Sequence, residues 1–241
     1  RNPNSVTYIQ KLIFDGNNLW MLFNSGQNQT AMHSYLTTLT LDAQGVYNFS
    51  DSSTVQLDDF TFDAVTDGTT IWTLTQKNVQ KVVKSANVVK IAQTVPIPVE
   101  QKKCVLPWYE LFGDLVFDGL NVWASIGALD TASSSKNMAC AELYKIEPRN
   151  YFTSVDLPAA LAGPMALDQA NYDDSASSLD PASYIWLSDY LTGTITKINA
   201  TSGAVIVTRK VGSGTNALAY DGKYLWVSNA LSKNVFRLRT R

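Results

Sequence analysis

Histidine is almost missing: His33 is the only one in 241 residues. One imidazole excludes acid–base chemistry by a histidine pair and any metal site built from several histidines. Cysteine is as scarce, with Cys104 and Cys140 alone, which excludes a cysteine-rich zinc site or a multi-disulfide scaffold. Charged residues make up 17% and the net charge is −2, so there is no electrostatic drive toward nucleic acid or an anionic membrane. The apolar runs are only a few residues long, too short to cross a bilayer. The first residues, Arg1-Asn2-Pro3-Asn4-Ser5, lack the apolar core of a signal peptide. No helical periodicity and no Gly-x-Ser-x-Gly elbow occur.

What is there is repetition. Hydrophobic residues reach 45%, a core-forming composition. One phrase recurs four times: Asp, Gly, two free positions, an aliphatic, Trp. The copies begin at Asp15, Asp67, Asp118 and Asp221 and end at Trp20, Trp72, Trp123 and Trp226. A worn fifth copy runs from Asp180 to Trp186, with Pro181 in place of Gly and one extra residue. Trp thus recurs roughly every 50 residues, the mark of a repeat architecture. Each Asp-Gly sits between apolar, β-branched and aromatic runs, such as Leu12-Ile13-Phe14 before and Leu19-Trp20-Met21 after. That is a hairpin signal, because Gly supplies the positive φ that a tight turn needs.

A third alternating run and a further turn follow in the copies, for example Thr194-Ile195-Thr196-Lys197-Ile198 and then Ala200-Thr201-Ser202-Gly203. Four antiparallel strands per repeat, without helices, describe the blade of a propeller. The expectation is one all-β domain over residues 1–241, a five-bladed β-propeller of four-stranded antiparallel blades. The blades span approximately 11–58, 59–103, 111–157, 162–211 and 215–241 plus 5–10. The long interval before Trp186 holds two insertions, Asp130 to Met138 and Gln169 to Ser178. The last repeat is short, so the N-terminal strand Val6-Thr7-Tyr8-Ile9-Gln10 is expected to complete it and close the ring. Residues 1–70 hold two basic and seven acidic residues, and residues 205–241 hold seven basic and one acidic. Closure would bring these opposite charges together.

The segment from Gly214 to Asn229, with Asp221-Gly222-Lys223-Tyr224-Leu225-Trp226 at its centre, resembles the repeat of bacterial YVTN and NHL-type propellers, including the streptogramin B lyase-like group. The resemblance implies a rigid propeller, often exported, often a binding platform and sometimes an enzyme. Enzymes of the lyase-like group rely on histidine with a carboxylate and a metal, a set that a chain with one histidine departs from.

In a propeller, ligands are expected on the face made by the loops between second and third strands and between blades. Those loops begin near Asn24, Gln76, Gly127, Asp189 and Asn229. The insertion carrying Asp130 lies on the same face. So does the connection carrying Trp108 and Tyr109, where Trp108 is the only Trp outside the repeat phrase. The ligand-binding candidates are Asn24, Gln76, Trp108, Tyr109, Asp130, Asp189 and Asn229. Strand-end capping is the competing role for the amides and carboxylates among them, and a plug over a blade for Trp108. The acidic run Asp173-Asp174 to Asp180 lacks the Gly and the alternation of an EF-hand loop and reads as a solvated loop.

The function expected is binding or scaffolding, with a protein segment or a carbohydrate as ligand, no cofactor, no catalytic residue and no metal. No nucleic-acid partner and no membrane insertion are expected, and the chain is read as a monomer outside the cytosol, extracellular or periplasmic. The alternative is a carboxylate-based or metal-assisted hydrolase or lyase in the central channel, using Asp59, Glu110, Asp114 and Asp189. Cys104 enters the third blade and Cys140 starts its third strand, so a disulfide between them is expected. It would close a loop of roughly 36 residues and contribute about 3–4 kcal/mol in the chain-entropy picture. Thiol titration under denaturing, non-reducing conditions should find no free thiol; two free thiols would rule the bridge out.

Overall fold

The computed structural model describes residues 6–26, 32–75, 77–97, 111–129, 139–147, 152–155, 157, 162–168 and 183–240. The chain divides into two compact units, Arg1–Ile97 and Pro98–Arg241. Among the described residues every sheet pairing is antiparallel, and no helix is long and apolar enough to cross a membrane.

The first unit holds two sheets. In the first, β1 (Val6–Phe14), β2 (Leu19–Gly26) and β3 (Met32–Leu41) run as a meander. The outer edge of β3 is shared by two short strands, β4 (Tyr47–Asn48) and β5 (Thr54–Gln56). The second sheet is β6 (Thr61–Thr66), β7 (Ile71–Thr75), β8 (Asn78–Ser85) and β9 (Val88–Pro96). The second unit holds three sheets. The third sheet is β10 (Leu111–Phe117), β11 (Val122–Leu129), β12 (Ala139–Ile146) and β13 (Phe152–Ser154). The fourth is β14 (Ala162–Asp168), β15 (Tyr184–Asp189), β16 (Thr194–Asn199) and β17 (Val205–Lys210). The fifth has three strands among the described residues, β18 (Thr215–Tyr220), β19 (Tyr224–Asn229) and β20 (Asn234–Arg239).

The repeat phrase is a bracket built on one carboxylate. Asp118 Oδ1 accepts the N–H groups of Leu120 (2.8 Å) and Asn121 (2.6 Å), and its Oδ2 accepts the Trp123 indole N–H (2.7 Å). The same three bonds recur at Asp15 with Asn17, Asn18 and Trp20, and at Asp67 with Thr69, Thr70 and Trp72. They recur again at Asp221 with Lys223, Tyr224 and Trp226. The glycine after each Asp has φ between 90° and 97°, a region open to glycine and strained for other residues. Three of the Trp rings join cores shared between sheets of one unit. Trp20 packs with Ala64, Ile71 and Val82 of the second sheet. In the second unit Trp123 packs with Met165, Ile185 and Leu187 of the fourth sheet, and Trp186 with Leu225 and Val227 of the fifth.

Two sequence expectations are corrected here. In the worn fifth copy Trp186 donates to Asp168 Oδ2 at 3.3 Å, while Asp180 lies outside the described residues. Register accounts for this bond. Trp20, Trp72, Trp123 and Trp226 pair with Ile13, Val65, Val116 and Ala219, each two residues before its Asp. Trp186 pairs with Ala166, two residues before Asp168. The insertion therefore splits the phrase between its Asp and its Trp. The second concerns Val6–Gln10, expected as a separate strand ahead of the first sheet. These residues are the first half of β1, paired with β2 from Val6↔Gly26 to Ile9↔Phe23. A β-bulge between Ile9 and Lys11 absorbs the break in alternation that made the segment look like a separate strand.

The carboxylates of Asp15, Asp67 and Asp221 are held below the ordinary aspartate value of 3.8. At Asp15 and Asp67 partial burial pushes upward, but the indole and turn-amide hydrogen bonds outweigh it. At Asp221 the Trp226 indole is the largest influence. Because the folded values lie below the unfolded one, this stabilisation is complete above roughly pH 4 and is lost as pH falls through the folded values. Acid unfolding should therefore steepen below about pH 4, and less so in Asp67→Asn. Asp118→Ala leaves a fully buried indole N–H without its acceptor, so it should lower stability by about 2–3 kcal/mol. The same change at Asp221, beside the half-exposed Trp226, should cost markedly less. Urea titrations across pH measure both.

Candidate functional site

Three of the loops joining second to third strands are fixed by the last residue of the second strand. Thr75 closes the β7–β8 turn by accepting the N–H groups of Lys77 (3.1 Å) and Asn78 (2.9 Å) on Oγ1. Asp189 does the same for the β15–β16 turn, accepting Leu191 and Thr192 N–H at 2.9 Å each. Asn229 holds the β19–β20 turn by donating to Asn234 Oδ1 at 2.9 Å. It also reaches into the connection before β18, donating to Val211 O (3.1 Å) and accepting from Thr215 Oγ1 (2.8 Å). Gly212 lies against this amide: a Cβ there would stand 2.5 Å from Asn229 Cγ.

In the first unit a relay of three side chains and two backbone groups ties one sheet to the next. Gln10 Oε1 accepts from Asn24 Nδ2 (3.0 Å), and Asn24 Oδ1 accepts from Ser34 Oγ (2.5 Å). Ser34 Oγ accepts the N–H of Thr61 (2.8 Å), and Gln10 Nε2 donates to Phe62 O (2.6 Å). Lys11 Nζ pairs with Asp63 at 2.7 Å beside this relay. Burying these polar groups is tolerable because each finds a partner within the relay.

Asn24, Asp189 and Asn229 are thus buried and hydrogen-bonded within the protein. Asp189 and Asn229 both end second strands within the second unit, and Asn24 belongs to the first unit. Gln76, Trp108, Tyr109, Asp130 and Cys104 lie outside the described residues, as does Glu110. Cys140 sits in β12 opposite Ala128, and its side chain lies outside the description. Of the carboxylates considered for chemistry, Asp59 pairs with Lys77 at 3.2 Å and accepts the Phe60 N–H at 2.8 Å. Asp114 accepts the N–H groups of Met165 (2.6 Å) and Leu115 (3.0 Å), tying β10 to β14. His33 is exposed on β3, its Nδ1 3.2 Å from Gln56 Nε2.

Two features went unread in the sequence. One is Thr75, which caps the β7–β8 turn. The other is a cation opposite each Trp of the last four sheets. Lys81, Lys145, Lys197 and Arg237 are the register partners of Trp72, Trp123, Trp186 and Trp226. Their charged groups lie 4.4, 5.8, 5.2 and 5.6 Å from the ring centroids, within cation–π reach. Lys197 is the most enclosed, 3.4 Å from Asp168 and 3.9 Å from the Tyr184 ring. A cleft of about 420 Å³ opens at the other end of the third and fourth sheets, lined by Lys145, Glu147, Ser154, Thr201 and Ser202 among others.

No protein-family model matches the chain, and no curated protein sequence does. Solved structures match it in fold. Apo AztD from Citrobacter koseri superposes with a TM-score of 0.55 at 10% identity, covering 96% of this chain and 69% of that one. The Dos1 propeller gives 0.57 at 12%, covering 98% of this chain and 56% of that one. The extracellular domain of BT4673 from B. thetaiotaomicron gives 0.51 at 13%, covering 95% of this chain and 27% of that one. The chain is therefore similar to β-propeller proteins and spans little more than half of the Dos1 propeller.

If Asn229 is a structural bracket, Asn229→Ala should cost about 2–3 kcal/mol by leaving the Thr215 hydroxyl and the Val211 carbonyl buried without it. Gly212→Ala should destabilise as well, because the new methyl displaces the same amide. Urea midpoints for both variants check this; unchanged midpoints would remove the bracket role.

Proposed function

We propose that the chain is a five-bladed β-propeller of the YVTN/NHL type that works as a binding or scaffolding module, recognising a protein segment through its second-to-third-strand loops. The observation that carries this reading is the fixing of those turns by Thr75, Asp189 and Asn229. Loops held by buried caps are presented with little conformational freedom left to lose on binding. Of the acids considered for channel chemistry, Asp59, Asp114 and Asp189 are engaged in capping and bridging, and Glu110 lies outside the described residues.

Ring closure and a monomeric state are part of the proposal. A location outside the cytosol rests on the proposed Cys104–Cys140 bridge, and it agrees with an extracellular domain among the similar folds.

Contact with the partner is assigned to Trp108, Tyr109 and Asp130, with Asn24, Gln76, Asp189 and Asn229 supporting the loops. A displayed peptide library panned against the purified chain should return binders. Trp108→Ala should weaken them by roughly 30-fold or more, the loss typical of an aromatic anchor, with an unchanged melting temperature. Binders unaffected by Trp108→Ala and Asp130→Ala would move the site elsewhere. Selection of glycans but no peptides on parallel arrays would overturn the protein-segment reading in favour of carbohydrate.

A further inference from the structure

The third strand of the fifth sheet differs from its counterparts. Strands β3, β8, β12 and β16 each carry a further strand on their outer edge. Among the described residues none pairs with the outer edge of β20. A strand edge without a partner offers alternate N–H and C=O groups to any extended segment that reaches it. Solvent reaches the side chains too: Val235 is 65% exposed and Phe236 37%. The interior residues of β16 are buried by contrast.

The two faces of β20 differ in chemistry. Phe236 and Leu238 pair with Val227 and Leu225, whose side chains belong to the core shared with the fourth sheet. Leu238 packs against that core, so this face is apolar. Val235, Arg237 and Arg239 alternate onto the other face. There Arg237 lies 5.6 Å from the Trp226 ring centroid and 4.6 Å from that of Tyr224. Lys233 precedes the strand, and Asp221 is the only acid in residues 205–241. A segment lying antiparallel on β20 would therefore meet apolar side chains on alternate positions and guanidinium groups on the others.

We infer that the outer edge of β20 is a docking site for an extended peptide strand whose residues alternate between apolar side chains and carboxylates. The apolar set extends the Phe236–Leu238 face, the carboxylates pair with Arg237 and Arg239, and the backbone supplies the missing fourth strand. This rests on the protein-segment reading but names a surface distinct from the loops bearing Trp108 and Asp130.

The probe is a fluorescein-labelled decapeptide of alternating valine and glutamate, with an N-methylated version that cannot form the strand hydrogen bonds. Fluorescence anisotropy with the full 241-residue chain should show binding of the first and none of the second. Arg239→Glu should weaken it at least tenfold, with the thermal transition unchanged. Hydrogen exchange on the unaltered chain should show the outward β20 amides, those not bonded to β19, open when free and slowed when the peptide is bound, which needs no variant to fold. Protection of these outward amides in the free chain would mean that the edge is already filled and would overturn the inference. So would protection confined to other strands, or no binding. Trp108→Ala should leave this peptide's affinity unchanged, so loss of loop-face binding and loss of edge binding are read separately.

Discussion

The fold depends on one carboxylate serving two masters. In the four Asp-Gly brackets the first oxygen of an aspartate takes the two amides of a tight turn, and the second takes the indole of a Trp five residues on. The turn fixes how strand one meets strand two, and the indole bond fixes which way the ring lies. Oriented this way, Trp20 and Trp123 enter the cores shared with the next sheet of their unit. Large aromatic groups dominate such cores because they bury the most area per side chain. Turn geometry, strand pairing and inter-sheet packing are thus coupled through a single side chain, which is why the phrase tolerates change at its free positions and little at Asp, Gly and Trp.

The cation on the third strand completes the unit. Lys81, Lys145, Lys197 and Arg237 meet the Trp ring from the register-paired position of the neighbouring strand. The long stem shields the indole while the charge stays near the ring face or water. In the first sheet the register partner of Trp20 is Thr38 instead, and the phrase survives there without a cation. Asp and Trp are therefore the essential pair, and the cation is an addition.

Much of this was legible because the signals are local. Asp-Gly between apolar runs, with Trp at a fixed distance, states a hairpin and its core residue within six positions. What was misread depends on register, which is not local. Asp180 sits closer in sequence to Trp186 than Asp168 does, yet pairing places Asp168 under the indole, because strand register counts partners across the sheet rather than residues along the chain. Val6–Gln10 looked like a separate strand for the same reason: a bulge restores alternation in a way no fixed period describes. Asn24 and Asn229 read as ligands or caps with equal ease, since an amide's partners are tertiary. Gln10, Ser34 and Thr215, which decide the matter, lie 14, 10 and 14 residues away from them.

The last sheet separates what is local in the repeat from what is not. The bond between Asp221 and Trp226 is 2.7 Å, the same as those to Trp20 and Trp123, although Trp226 is far more exposed than either. The bracket therefore forms without the covering sheet. Its closing contact spans only five residues, so it carries a small loop-closure cost, and burial of the ring is a later consequence of whatever lies beyond. A repeat built this way sets its hairpins from its own six residues and leaves the faces to be satisfied by neighbours. The fifth sheet, with its bracket intact, its Trp half covered and its edge strand unpaired among the described residues, is where that division between local order and external completion becomes visible.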